Sequence, residues 1–253
     1  MLSEERRTQI LQLIQENGKV RVRELSRRFN TSEVTIRNDL RKLHERGHLQ
    51  RAHGGAITPE TVRVDPSLYE KAKLHAAEKQ RIGAAAAALV NNGETIILDS
   101  GTTTQQIARH IRNKKNLKVI TNAINVAMEI LGLADIEVIL LGGVVRRNSF
   151  SVVGHFATDM LKHLLADKLF IGVDACDLNF GLTTPNLEES HVNRAMVQIA
   201  REKILVADSS KFGKHSLSRI VSVFEMDKVI SDRNLPESIQ SALRAEGVDV
   251  LLV

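Results

Sequence analysis

Apolar positions along this 253-residue chain keep two different rhythms. Up to about residue 57 they recur at helical spacing. Ile10, Leu11, Leu13 and Ile14 mark a first helix that starts at Ser3, a residue able to cap its first turn, and stops at Asn17-Gly18. Val22, Leu25 and Phe29 give a short second helix over 23–29 an inward face. Asn30, Thr31 and Ser32 then supply a turn and the cap of a third helix that ends at Gly47. The stretches 48–51 and 56–57, parted by Gly54-Gly55, predict a short hairpin. Helix, turn, helix and a glycine-tipped ribbon within residues 1–57 make the outline of a winged helix-turn-helix. Projected at about 100° per residue, the third helix puts Ile36, Leu40 and Leu43 on one face. Val34, Arg37, Asn38, Arg41 and Lys42 fall on the other, with Thr35 at the margin.

After residue 58 the rhythm changes. The segment 58–75, which holds Pro59 and Pro66, reads as a linker that turns helical around 68–74. Beyond it, Val, Ile and Leu cluster without alternation at 95–98, 118–120, 137–141, 169–173, 204–207, 228–230 and 248–253. Helical stretches at 78–90, 105–111, 123–131, 156–165, 189–200 and 236–245 lie between most of these runs. Strands buried on both faces look like this, so residues 76–253 predict an α/β domain with a mainly parallel sheet flanked by helices.

The formal charge of +5 gains meaning once it is divided. Residues 1–57 hold twelve Lys and Arg against seven Asp and Glu, which leaves 23 of each sign in the remainder. A basic module ahead of a neutral body suggests a head that binds a polyanion and a body with another task. Several classes drop out. With 43% hydrophobic and 26% charged residues the composition is that of a globular protein. The longest apolar stretch, 83–90, is far shorter than the roughly 20 residues of a membrane span. The start MLSEERRTQI lacks the apolar core of a secretory signal, so a soluble, cytoplasmic protein is expected. One cysteine, Cys176, allows no intrachain disulfide, and the nine histidines show no metal-ligand spacing. No G-x-G-x-x-G follows a strand, so neither a metal nor a dinucleotide cofactor is expected.

Ligands collect at the carboxyl ends of parallel strands, which makes the residues after each run the candidates. Asp99, Ser100, Gly101, Thr102, Thr103 and Thr104 lead from a strand into a helix. There Gly101 lets the backbone approach a ligand, while hydroxyls and free amides at the helix start face an anion such as a sugar phosphate. The Gly-Lys-Ser/Thr ending of a P-loop is missing. Asp208, Ser209 and Lys211 leave another strand end together, and Lys211 either fixes a phosphate or pairs with Asp208. Thr121, Asn122, Gly142, Gly143 and Asp174 follow other runs. Arg146, next to Arg147, is a further anion candidate whose alternative is exposed surface charge. Glu188-Glu189 reads as the acidic opening of a helix.

The order of these motifs resembles one family. Arg6, Ile10 and Ile14, followed by Ser32 and by Thr35-Ile36-Arg37-Asn38-Asp39-Leu40, look like the helix-turn-helix signature of the DeoR/GlpR family of bacterial transcriptional regulators. The wing RAHGGAI, the hinge residues Glu78-Lys79 and the body motifs ILDSGTTT, ITN, LLGG, FIGVDA and VADSSKFG carry the resemblance over nearly the whole chain. Within the family, IRNDL and ILDSGTTT are especially like repressors of N-acetylgalactosamine and galactosamine utilisation. The resemblance implies a body similar to the ribose-5-phosphate isomerase and glucosamine-6-phosphate deaminase folds, sensing a phosphorylated sugar rather than transforming it. It puts Asp99 to Thr104 on the effector phosphate and Asp174 and Lys211 in the sugar pocket. Glu188-Glu189-Ser190 departs from the Glu-Glu-Ala that members often carry there.

On this reading the third helix enters the major groove of operator DNA. Arg37 and Asn38 match guanine and adenine edges, Thr35 a base or a phosphate, and Val34 either a thymine methyl or bare surface. Arg21, Arg23, Arg41, Lys42 and the wing residues Arg51 and His53 are expected on phosphates, with Ser32 at the helix start and Asp39 orienting an arginine within the head. One head reads few base pairs, so a homo-oligomer, dimer or tetramer, is expected, released from DNA by a phosphorylated sugar. Two rivals remain at this point. One is a sugar-phosphate isomerase or deaminase with a DNA-binding appendage, using Asp174, Asp208 and Lys211 as acid and base groups. The other is a purely architectural DNA-binding protein.

Overall fold

A computed structural model describes residues 3–46, 48–52, 54–57, 61–62 and 65–253. The chain divides into two compact units, Met1–Asp65 and Pro66–Val253.

In the first unit, helices α1 (Ser3–Asn17), α2 (Val22–Arg28) and α3 (Glu33–Glu45) enclose Ile10, Ile14, Leu25, Ile36, Leu40 and Leu43, none more than 2% exposed. Leu11, Leu13 and Phe29 are half-buried around them. Ser3 stands inside the first turn of α1 rather than ahead of it as a cap. The wing is the antiparallel pair Gln50–Ala52 and Gly55–Ile57. A third strand, Lys19–Arg21, pairs with the other side of Gly55–Ile57. Its only inward residue is Val20, and three residues offer no alternation from which a strand could be read.

The second unit is built on one seven-stranded sheet to which all seven apolar runs contribute. The spatial order is Asp249–Leu252, Lys228–Ser231, Ala200–Val206, Ala166–Ile171, Thr95–Leu98, Leu117–Thr121, Ile136–Leu140. Every pairing is parallel. Alternate residues serve two cores: Ile97 joins Leu161, Val192, Met196 and Leu243 on one face, while Ile96 and Leu98 join Ile82, Ile107 and Val126 on the other. Helices therefore cover both faces, which is why the strands read as unbroken apolar runs.

The chain begins this sheet at Thr95–Leu98 and builds outward to Ile136–Leu140. It then returns to lay Ala166–Ile171 against the opposite side of its first strand and builds the other way. The order thus reverses between Thr95–Leu98 and Ala166–Ile171, where the loops diverge above and below the sheet and leave a crevice at the carboxyl ends.

The linker drawn over 58–75 is not free chain throughout, because residues from 66 onward pack within the second unit. Ser67 and Glu70 form a capping box that starts the helix Leu68–Lys73. The Leu68 side chain is buried, and its N–H donates to Asn148 O at 2.6 Å. His75, at φ 52°, then turns the chain into the helix Ala76–Ala88. Two small antiparallel pieces also escape the sequence pattern. They are the hairpin Val144–Arg146 with Ser151–Val153 and the three-stranded sheet of Ala175–Asp177, Gly181–Thr184 and Ser218–Arg219.

Candidate functional site

The first unit offers a surface. On α3, Val34 is 73% exposed and Arg37, Asn38, Arg41 and Lys42 are exposed beside it, opposite the buried Ile36, Leu40 and Leu43. Ser32 caps the helix by accepting the Thr35 N–H at 3.1 Å, and the two hydroxyls lie 2.8 Å apart. Arg37 pairs with Glu33 one turn back at 2.7 Å, and Arg41 donates to Asn38 Oδ1 at 2.5 Å. Arg21, Arg23 and Arg51 are exposed, whereas His53 lies outside the described residues. Asp39 faces the interior, 4% exposed, and accepts from Arg6 Nε at 2.7 Å and Arg7 Nε at 3.0 Å. Two buried charge-assisted bonds thereby tie α3 to α1 and fix the attitude of its outer face.

The second unit offers a pocket at the point where strand order reverses. Asp99, Ser100, Gly101, Thr102, Thr103 and Thr104 line it after Thr95–Leu98, Asp174 after Ala166–Ile171, and Asp208 and Lys211 after Ala200–Val206. Gly101, at φ 148°, is the N-cap of the helix Thr102–His110, a conformation that side chains rarely adopt. The first helical bond runs from Gln105 N–H to Gly101 O at 3.3 Å, so the N–H groups of Thr102, Thr103 and Thr104 precede it and point out of the helix start. Lys211 lends its charge to Asp174 and Asp208 with no direct ion pair to either. Backbone donors on one side and a cation on the other are what a small anion needs.

Six residues proposed from strand ends fall outside this pocket, and each has another task. Thr121 Oγ1 donates to Leu98 O at 2.7 Å and accepts from Ala123 N–H, while Asn122 bonds the hairpin residue Val152. Gly142 and Gly143 shape the turn into that hairpin: a Cβ on Gly143 would stand 2.5 Å from Val153 O. Ser209 is turned toward the next strand end, where its Oγ donates to Asp232 at 2.9 Å. Arg146 is not surface charge, since it pairs with the buried Glu189. Thr121, Asn122, Gly142 and Gly143 follow strands that continue the sheet away from the reversal, whereas Ser209 and Arg146 stand beside the lining residues Asp208 and Ser149 and turn their own side chains elsewhere.

Sequence reasoning missed four charged or amide residues of the pocket. Lys71, on Leu68–Lys73, donates to Asp174 Oδ1 at 2.5 Å. Lys79, on Ala76–Ala88, donates to Leu74 O at 2.7 Å and to Lys71 O, stapling the end of the preceding helix. Glu189 and Asn193 come from Leu187–Ile199, and Glu189 is no surface acid. Its Oε1 accepts from Ser149 and Ser151, each at 2.7 Å, and Oε2 from Thr184 at 3.1 Å. Ser190, where the family motif often has alanine, donates to Leu187 O at 2.7 Å.

Burial controls the charges. It pushes the Asp99 carboxyl up to about 8, with Glu189 adding to the effect against the N–H groups of Ser100 and Gly172. Burial, then the neighbouring Lys211, pulls Lys79 down to about 8. Burial alone would raise Asp174 and Asp208. Lys71 and Lys211 hold Asp174 below its usual value, and Lys211, His75 and Lys79 do the same for Asp208. Cys176 is buried and pushed up to about 12, far from a reactive thiolate. Among the described residues no group of three or more His, Cys, Asp or Glu is placed to hold a metal ion, and no helix is long and apolar enough to cross a membrane.

Residues 6–65 match the model of a DeoR-like helix-turn-helix domain, and residues 74–233 that of the DeoR C terminal sensor domain. A protein of Escherichia coli O157:H7, named as a candidate aga operon transcriptional repressor, is 41% identical over 98% of this chain and 93% of its own. The regulator GlpR of Haloferax volcanii is 34% identical over 99% and 98% of the two chains. The glycerol-3-phosphate regulon repressor of Escherichia coli K12 is 31% identical over the full length of both. Among solved structures, ribose 5-phosphate isomerase from Plasmodium falciparum matches 53% of this chain and 52% of its own, at 20% identity and a TM-score of 0.40.

Proposed function

The chain belongs to the DeoR family of helix-turn-helix regulators with a C-terminal sensor domain, and from that premise we propose that it represses a sugar catabolic operon until a phosphorylated sugar fills the pocket. It is a DNA-binding transcriptional regulator and not an enzyme. The similarity to a candidate aga operon repressor favours an amino-sugar operon.

In the head, α3 enters the major groove. Arg37 and Asn38 read base edges there, Val34 packs on a thymine methyl, and Arg21, Arg23, Arg41, Lys42 and Arg51 hold phosphates. Glu33 keeps the Arg37 fork extended along the helix before DNA arrives. Ser32 and Thr35 act first as the cap that sets where the helix begins.

In the body, the effector phosphate lies on the Thr102, Thr103 and Thr104 N–H groups and against Lys211, while Asp99, Asp174 and Asp208 face its carbon skeleton. The observation that carries this reading is the convergence of an open helix start and Lys211 at the reversal of strand order. Asp174 is already occupied by Lys71, so a ligand hydroxyl that claims Asp174 loosens the helix Leu68–Lys73, which begins where the division between the two units falls. Two or more heads on a homo-oligomer supply operator affinity, and effector binding shifts the population toward an arrangement that does not fit.

A melting-temperature panel tests the sensing half. At least one aldose or amino-sugar phosphate raises the melting temperature of the full chain, and the same compounds incubated with it are recovered unchanged. Turnover of any of them would restore the isomerase or deaminase reading, and a flat panel would leave an architectural DNA-binding protein.

A further inference from the structure

An inventory of acceptors in the pocket leaves two of them open. Glu189 is saturated by Ser149, Ser151, Thr184 and Arg146. Asp174 takes Lys71 on Oδ1, and its Oδ2 shares the single Thr184 hydroxyl proton with Glu189 Oε2. Asp99 is neutral below about pH 8, so one oxygen carries its proton: Oδ1 meets the Ser100 hydroxyl, and Oδ2 accepts Gly172 N–H at 3.3 Å and Asn193 Nδ2 at 3.2 Å. Asn193, 5% exposed, commits its amide nitrogen to Asp99 in this way and leaves Oδ1 buried without a donor. Asp208, 1% exposed, accepts from Ser210 on Oδ1 and leaves Oδ2 buried without a donor.

A buried acceptor left unsatisfied costs about 1–3 kcal/mol, so both oxygens call for donors. Both residues line the pocket. The donors therefore come from whatever fills it. In hydrogen-bonding terms the pocket thus has two unlike halves, interleaved in space: the helix start and Lys211 offer donors to an anion, whereas Asn193, beside Asp99, and Asp208, in the loop of Lys211, offer acceptors. The strands that lead to Asp99 and Asp208 are separated by one strand, Ala166–Ile171. That spacing sets their ends roughly 10 Å apart, the span of a short phosphorylated carbon chain.

We propose that Asn193 Oδ1 and Asp208 Oδ2 are the specificity-determining acceptors of this pocket, reading hydroxyl or ammonium donors on the carbon chain of a phosphate monoester. The inference rests on the reading of residues 102–104 and Lys211 as the phosphate subsite. Phosphate binding supplies affinity common to every phosphate ester, and the two acceptors reject esters that bring no donors. Such rejection is strong because an apolar ligand leaves the site's polar groups unpaired, whereas an extra or missing methylene is read weakly. A carboxylate acceptor also makes the stronger, charge-assisted bond, which favours an ammonium donor at Asp208.

Calorimetric titration of the full-length protein separates the halves. The probes are inorganic phosphate, hexyl phosphate, and aldohexose 6-phosphates carrying a 2-hydroxyl or a 2-amino group. The wild-type protein is expected to bind at least one sugar ester about 100-fold more tightly than hexyl phosphate. Asn193→Leu and Asp208→Asn each cut that preference about tenfold or more, the loss of one buried hydrogen bond. Affinity for inorganic phosphate stays within about threefold of wild type in Asn193→Leu, and holds or rises in Asp208→Asn, which removes a negative charge. Asp208→Asn is isosteric and decides the question even where Asn193→Leu does not fold. A preference unchanged in the variants, or lost in step with inorganic phosphate, overturns the proposal. Wild-type protein that binds inorganic phosphate and hexyl phosphate as well as any sugar ester overturns it too, leaving the phosphate subsite intact. If inorganic phosphate and every ester fail to bind, the phosphate reading itself falls and takes this inference with it.

Discussion

The cations of the outer face of the first unit stand in water, and those that line the pocket of the second are largely withdrawn from it. The Arg23 side chain is 84% exposed and stands 3.7 Å from Glu33, and that of Arg37 is 56% exposed although it bonds Glu33 at 2.7 Å. Lys79 is 5% exposed and spends its protons on two backbone carbonyls, while Lys71 is held by Asp174. The same charge type serves two recognition problems. A duplex presents a long row of phosphates, and exposed cations that release its counterions provide affinity that salt can tune. A small ester presents one phosphate and a few hydroxyls, and only desolvated groups with counted hydrogen bonds discriminate among such ligands.

The sharpest way to break this comparison is at Asp39, where among the described residues the head buries charge as the body does. Asp39→Ala takes the buried partner from Arg6 and leaves Arg7 only Glu4, and is expected to cost the head about 3–5 kcal/mol. Calorimetry should show the head's transition falling or vanishing and DNA binding lost, with phosphate binding by the body unchanged. Loss of both functions together would mean the two units do not fold independently.

A pH series comes next in size. Lys79 loses its proton and Asp99 becomes charged near the same value, about 8. Raising the pH through 8 therefore removes a positive charge from the pocket and adds a negative one beside the Ser100 turn. A phosphate monoester is already a dianion there, its second pKa being about 6, so the ligand itself does not change. Sugar-phosphate affinity should fall from pH 7.5 to 9, by at most about tenfold per pH unit for each proton. DNA affinity should hold over the same range, because both shifted groups belong to the body. A sugar-phosphate affinity that stays flat would mean the buried groups do not face the ligand.

Smaller effects divide the head itself. Arg37→Ala should cost about 1–3 kcal/mol on operator DNA and relax preference at one base position. Lys42→Ala should weaken all sequences alike and lower the salt slope by about one. Equal behaviour of the two variants in filter binding against operator and random DNA would erase the distinction between reading and holding.

What the sequence disclosed follows the same division. The face of α3 was legible because a helix projects its residues in order, so Ile36, Leu40 and Leu43 on one side already implied Arg37 and Lys42 on the other. The five inner strands were legible because burial on both faces leaves apolar runs, and the two edge strands because they remain apolar although Leu140 and Leu251 are exposed. The pocket was half legible. Asp99 to Thr104, Asp174, Asp208 and Lys211 follow strands directly, but which strand ends meet depends on the reversal of strand order, a property no local pattern carries. Thr121 and Gly142 look as suitable as Asp174 until that order is known.

Lys79, Glu189 and Asn193 did leave a signal. Lys79 shares the stripe of Ile82 and Ala86, and Glu189 and Asn193 share that of Val192, Met196 and Val197. A charged or amide residue on an otherwise apolar stripe must find partners inside, and that marks a site. Lys71 left none, because its helix is six residues long and lies where composition reads as linker.

The central claim is that two anions, one in each unit, are linked. Its most direct measurement is fluorescence anisotropy of the full chain on its operator, titrated with the sugar phosphate that most raises the melting temperature, for wild type and Lys211→Ala. The wild-type protein should lose about 5–150-fold in operator affinity at saturating ligand. Lys211→Ala should bind operator as wild type does without ligand and barely respond when it is added. An operator affinity that no sugar phosphate moves, or a Lys211→Ala protein that responds in full, would contradict the account.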